Sequence, residues 1–130
     1  MSDFKVPADL RYTSEHEWVR LDGDVLTVGI TDYAQDALGD ITFLELPDEG
    51  RELAAGETFG VVESVKTFSD LFAPVAGTVV EVNNEAIEDP AGMNIDAYDV
   101  WLIKIRVASV ADIDALLDAT AYKTHVDSVS

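Results

Sequence analysis

Gly60-Val61-Val62-Glu63-Ser64-Val65-Lys66-Thr67-Phe68-Ser69-Asp70-Leu71-Phe72-Ala73-Pro74-Val75-Ala76-Gly77 is the stretch from which the fold can be read. Apolar residues flank a short Ser-Val-Lys-Thr apex, the pattern of two strands joined by a tight turn. Lys66 at that apex is the only basic residue between Arg51 and Lys104. A solitary ammonium on a hairpin tip, set in an acidic chain, is easily found by a modifying enzyme. The ordinary alternative is a surface lysine that keeps a turn soluble.

Working outward, the flanking segments also read as short strands. Trp18 and Val19 begin a strand within Tyr12 to Leu21, and the Asp22-Gly23-Asp24 turn connects it to Val25–Ile30. Thr31 is placed to cap a short helix, with Asp32 in its first turn favouring the dipole and Gly39 as its stop. Ile41 to Leu46 is a strand closed by Pro47-Asp48-Glu49-Gly50, Glu52 to Gly56 a loop, Thr58 to Glu63 the rise to Lys66, and Phe68 to Phe72 the descent. Thr78–Val82 is a further strand, and Asn83 to Asp99 an Asn-, Asp- and Pro-rich loop with room for one helical turn. The apolar run Val100 to Ile105 is expected as a central final strand. Ser109 with Asp112 forms a near capping box ahead of a packing stripe of Val110, Ile113, Leu116 and Leu117, and Asp118 restarts a last helix through Tyr122 and Val126. Many short strands at regular spacing predict a sandwich or flattened barrel.

A chain of 130 residues forms one domain, 1–130, and buries a core without metal or disulfide staples. It has no cysteine, which excludes thiol catalysis and cysteine-ligated metal. Met1 to Pro7 has neither a basic region nor an apolar run, so no leader is expected, and no stretch approaches membrane-spanning length. These features predict a cytoplasmic protein. Acidic residues outnumber basic ones 26 to 8, and the formal net charge of −18 repels nucleic acid and anionic lipid. The carboxylates are spread along the chain, which favours a surface suited to a salty cytoplasm over one dedicated to docking. There is no P-loop, dinucleotide turn, nucleophile elbow or zinc-ligand pair.

Glu63-Ser64-Val65-Lys66-Thr67, with Ser69-Asp70 and Ala73-Pro74-Val75-Ala76-Gly77, resembles the attachment hairpin of lipoyl and biotinyl carrier domains. Four further stretches narrow the resemblance to the H proteins of the glycine cleavage system. They are Tyr12-Thr13-Ser14-Glu15-His16-Glu17-Trp18-Val19, Val28-Gly29-Ile30-Thr31-Asp32-Tyr33-Ala34-Gln35, Leu38-Gly39-Asp40-Ile41 and Glu45-Leu46-Pro47. The resemblance implies a mainly β barrel-sandwich hybrid (a flattened lipoyl-type barrel) with a short internal helix and a C-terminal helical segment.

It also implies a non-catalytic carrier, expected to be a monomer, with lipoate joined by an amide to Lys66 and with Glu63, Ser64, Val65 and Thr67 framing the attachment site. A lipoate-protein ligase or lipoyl transferase would load it. Its further partners would be glycine decarboxylase, aminomethyltransferase and dihydrolipoyl dehydrogenase, between which the arm carries an aminomethyl group and electrons. Contacts to the loaded arm fall on Glu15, Glu17 and Asp70, where carboxylates suit a cationic amine. Glu15 is a departure, since many relatives have serine there. His16 is expected to pack or hydrogen-bond, and Trp18 and Trp101 to lie in the core.

A second departure is Asn94-Ile95-Asp96-Ala97-Tyr98-Asp99-Val100-Trp101, where the family pattern has proline at Ala97 and glycine at Val100. Loss of that glycine implies a different turn before the last strand. It also leaves open an H-like lipoate carrier of a sulfur-oxidising, heterodisulfide-reductase-like system. A biotin carrier fits less well, because Val65 and Thr67 stand where biotin sites usually have methionines.

Overall fold

The computed structural model describes residues 4–129. Met1, Ser2 and Asp3, part of the stretch searched for a leader, lie outside the described residues.

Two sheets carry the fold. The larger has six strands in the order β1-β2-β3-β9-β8-β5, the smaller three in the order β4-β6-β7. In the first, β1 is Arg11–Tyr12, β2 Glu17–Asp22, β3 Val25–Ile30, β5 Glu52–Leu53, β8 Gly77–Val82 and β9 Ile103–Val107. In the second, β4 is Ile41–Glu45, β6 Thr58–Ser64 and β7 Phe68–Phe72. Every strand pairing is antiparallel. The sheets do not close on one another, so this is the sandwich form of the hybrid rather than a barrel. Alternation along the strands decides what is enclosed. Leu26, Val28 and Ile30 of β3 and Ile103, Ile105 and Val107 of β9 meet Leu44, Val62 and Leu71 of the smaller sheet in one apolar core.

The opposite face of the large sheet has its own cluster. Tyr12 and Trp18 point there, and α4 (Ala119–Val129) covers them with Ala119, Tyr122 and Val126. Tyr12 and Tyr122 stack with centroids 4.6 Å apart. Trp18 is paired across the ladder with Gly29, and its indole lies flat over that bare backbone while Nε1–H donates to Ala97 O at 3.1 Å. A Cβ at Gly29 would overlap the ring. Gly29→Ala should therefore displace a fully buried indole and lower stability by about 1–3 kcal/mol, seen as an earlier urea midpoint and altered tryptophan fluorescence.

The helix α1 spans Asp32–Leu38 with Thr31 Oγ1 accepting from Ala34 N–H, and Gly39 closes it at φ 82°, as the sequence predicts. Elsewhere tertiary contacts override local composition. The expected Glu52–Gly56 loop contains β5, because Leu53 is buried and pairs with Gly77. The expected Asn83–Asp99 loop is mostly helical: α2 (Asn84–Glu88), α3 (Gly92–Ile95) and a 3-10 turn, Ala97–Asp99. Buried Ala86 and Met93 anchor the two helices, and packing outweighs the weak helix propensity of Asn and Gly. The last strand starts at Ile103, not Val100, and lies centrally between β3 and β8.

Val110–Ala115 is a 3-10 helix in which Ser109 makes no side-chain cap and Val110 is exposed, so only part of that stripe packs. Trp101 is half-buried with Lys104 Nζ 4.9 Å above its ring, rather than a core residue. Val100 sits at φ −117°, ψ 100°, extended backbone that needs no glycine, and Asp96 caps the turn beside it through Tyr98 N–H.

Candidate functional site

The β6–β7 hairpin places Lys66 at its tip because Ser64 closes the turn from both sides. Ser64 N–H donates to Thr67 O at 2.8 Å, and Ser64 Oγ donates to that carbonyl and accepts from Thr67 N–H. The tip is tied to the body by Val65 N–H donating to Asp40 O at 3.0 Å. Lys66 is exposed, and its stem lies across Gly39, with Cε 3.3 Å from where a Cβ on that glycine would stand. Asn94 braces this seat. It accepts from Ile41 N–H and donates to Gly39 O at 2.8 Å and to Gln35 Oε1. The sequence marks Gly39 only as a helix stop and Asn94 only as part of a polar loop. Their joint role depends on α3 packing beside α1, which no local pattern announces.

Glu63, Val65 and Thr67 are exposed around the tip, while Ser64 is half-buried by its own hydrogen bonds. A cleft of about 200 Å³ runs back from the hairpin between α1 and β7, lined by Glu15, His16, Tyr33, Leu38, Thr67 and Asp70 among others. Glu15 and Asp70 thus share a cleft that begins beside Lys66. Glu17 does not line it. It faces a second cleft of about 510 Å³, bounded by Tyr12, Thr13, Phe72, Pro74 and Leu116, and Glu15 stands on the rim of both.

Glu17 is almost fully buried, 2 % exposed. Its Oε2 accepts from Phe72 N–H at 2.8 Å and its Oε1 from the Thr13 hydroxyl at 3.2 Å, which ties β2 to the end of β7. Burial pushes the carboxyl up to about 8 against the pull of those two hydrogen bonds, and Glu15 adds to the rise. The arrangement holds a proton on a carboxyl group at neutral pH.

His16 stands at φ 69° in the tight Thr13–Glu17 turn, a strained conformation for a residue with a Cβ. Its Nδ1 meets Tyr122 OH at 2.9 Å, and Tyr122 OH meets Thr31 Oγ1 at 2.7 Å. His125 lies against its ring and donates from Nε2 to Ser14 O. Burial, reinforced by His125, lowers the His16 pKa to about 4, so the ring is neutral and structural at pH 7. The turn bearing Glu15 is therefore held from behind by the C-terminal helix.

An exposed, strand-pinned amine with a bare-backbone seat and a cleft leading from it suits covalent attachment of a flexible arm. Residues 10–129 match the family model described as Glycine cleavage H-protein. A glycine cleavage system H protein of Burkholderia vietnamiensis is 58 % identical over 123 residues, covering 94 % of this chain and 98 % of that protein. One of Bacteroides fragilis is 57 % identical over the same length and coverage. The crystal structure of a glycine cleavage system H protein from Mycobacterium marinum superposes with a TM-score of 0.86 at 41 % identity, covering 94 % of this chain and 99 % of that one. With identity this high along almost the whole length, and with its fold and lysine hairpin in place, the chain belongs to the glycine cleavage H-protein family, whose members carry lipoate covalently on a lysine.

Proposed function

We propose that Lys66 is the lipoylated residue and that the body around it serves as a non-catalytic carrier, monomeric and cytoplasmic, between glycine decarboxylase, aminomethyltransferase and dihydrolipoyl dehydrogenase. The observation that carries this reading is the hairpin: a single exposed lysine held at its tip, in a chain of which 94 % aligns with an H protein. The attached lipoyl group would supply a dithiolane that opens to a dithiol and takes up cargo and electrons. The chain's own residues then set where that arm goes. Ser64 fixes the direction in which Lys66 leaves the turn, Gly39 lets its stem lie flat, and Thr67 lines the first part of the cleft.

In the same reading, Glu15 and Asp70 hold an amine cargo by charge-assisted hydrogen bonds. Glu15, on the rim of both clefts, passes it toward Glu17, whose buried carboxyl can exchange a proton with it. Burial of the cargo between these walls keeps water from it. No observation favours the sulfur-oxidising alternative. Val100 adopts ordinary extended backbone, and the relatives compared are glycine cleavage system H proteins.

The test uses lipoylated, amine-loaded carrier without an acceptor. A Glu15→Gln/Asp70→Asn variant, lipoylated to the same extent as the parent before loading, should release ammonia about tenfold faster, the loss of roughly one charged hydrogen bond. Equal release rates would remove both residues from the cargo site.

A further inference from the structure

The hydrogen bonds behind His16 can run in one direction only. Ala34 N–H donates to Thr31 Oγ1, and Thr31 is fully buried. Its own hydroxyl hydrogen finds no acceptor among the described residues except Tyr122 OH, at 2.7 Å. Tyr122 then donates onward, to His16 Nδ1 at 2.9 Å. The reverse order would strand the Thr31 hydrogen in the core. A neutral imidazole whose Nδ1 accepts carries its proton on Nε2. That Nε2–H meets no acceptor among the described residues, and no buried side-chain nitrogen there lacks a partner, so it opens to the surface.

The surface that His16 helps to line is the cleft of about 200 Å³. The helix α1 measures it from end to end. Gly39, under the Lys66 stem, closes the helix, and Thr31, whose N–H donates to His16 O at 3.0 Å, opens it. Ala34, Ala37 and Leu38 share one helix face and give the cleft an apolar track. The seven residues of α1 span about 10 Å, a distance comparable to the reach of an extended lipoyl chain beyond Nζ. An arm laid along this track from Lys66 ends at His16. Other donors there are few. Thr67 and Ser69 turn their hydroxyls to the carbonyl of the next residue, and Glu15 and Asp70 are acceptors as carboxylates. Tyr33 is the remaining rival.

We propose that His16 Nε2–H binds the sulfur end of the arm on Lys66, donating to a thiolate of its opened ring. This rests on the carrier reading above and gives the cleft a second polar task. The carboxylates take an amine; the imidazole takes a sulfur anion that those carboxylates would otherwise repel. Burial keeps the ring neutral, so the donated hydrogen stays on Nε2.

The chain has no cysteine, so every thiol in the lipoylated, reduced protein belongs to the arm. The pH dependence of its alkylation by iodoacetamide, followed by mass on the full chain, gives the thiol pKa. His16→Asn keeps an oxygen where Nδ1 accepts from Tyr122 and tolerates the positive φ, but loses the Nε2 donor. It should unfold at the parental urea concentration yet raise the arm pKa by about half a pH unit, roughly threefold less thiolate. His16→Gln restores a donor near Nε2 and forfeits the Tyr122 bond. It should unfold earlier and regain most of the parental arm pKa, while Tyr33→Phe should leave that pKa unchanged. Nitrogen-15 NMR of the whole chain, which has only two histidines, should show His16 with a bare Nδ1 and a protonated Nε2 whose signal moves when the arm is reduced. A proton on Nδ1, an arm pKa shared by the parent and His16→Asn, a glutamine variant no better than the asparagine one, or an effect carried by Tyr33→Phe would each overturn the assignment and leave the carrier reading standing. A parent chain that takes no lipoate at all would overturn both.

Discussion

Replacing Lys66 by arginine should abolish lipoyl attachment completely while leaving the fold untouched. Arginine keeps the positive charge and a comparable stem, and the turn is closed by Ser64 and Thr67 rather than by the lysine side chain. Stability should therefore stay within about 0.5 kcal/mol of the parent, as for most surface substitutions. What changes is the nucleophile. The lysine amine can shed its proton and attack an acyl carbon, whereas a guanidinium stays protonated throughout the accessible range and delocalises its electrons. Intact and peptide mass spectrometry of protein from cells that hold lipoate should show one lipoyl increment on Lys66 in the parent and none in Lys66→Arg. Carrier activity should vanish with it. An unmodified Lys66 in such cells would contradict every carrier reading of the chain.

The second large effect is a fall in stability as pH rises above neutrality, caused by Glu17. Its carboxyl is raised in the folded state from 4.5 to about 8, so between those values the folded chain holds a proton that the unfolded chain has lost. Stability must then decrease with rising pH across that window and level off above it. His16 acts in the opposite sense at lower pH. Its folded value of about 4 lies below the ordinary 6.5, so the unfolded chain binds the extra proton and stability rises from pH 4 to 6.5.

The two slopes oppose each other below pH 6.5, and Glu17 stands alone above it. From pH 6.5 to 8 the expected loss is about 2 kcal/mol, at 1.36 kcal/mol per unit of differential protonation. Glu17→Gln should flatten this part of the profile, because an amide has no proton to lose in this range and its oxygen can still accept from Phe72 N–H. Urea unfolding at half-unit pH intervals reads the difference directly. A parent profile flat between pH 6.5 and 8 would show that water reaches Glu17 and that the β2–β7 clamp is looser than it looks. For function, the same proton sits beside the path proposed for the amine cargo, so its loss at alkaline pH would change cargo retention along with stability.

What the sequence by itself determined is mostly what local chemistry enforces. The hairpin around Lys66, the Asp22-Gly23-Asp24 turn, and the α1 start and stop at Thr31 and Gly39 were legible because each rests on neighbours in the chain. So was the family, since its motifs are contiguous strings.

Only the tertiary structure decided the rest. Asn83–Asp99 became helical because Ala86 and Met93 found a core to enter, and β5 exists because Leu53 did. Glu17, grouped by sequence with Glu15 and Asp70, shares the second cleft with Glu15 but not the one that Asp70 lines: it is the first residue of β2 and is buried there, while Glu15 precedes the left-handed His16, lies off the strand and reaches both clefts. The seat of Lys66 on Gly39, held by Asn94, joins three separate segments. Such sites depend on distances between elements, and a sequence carries those only through the packing it produces.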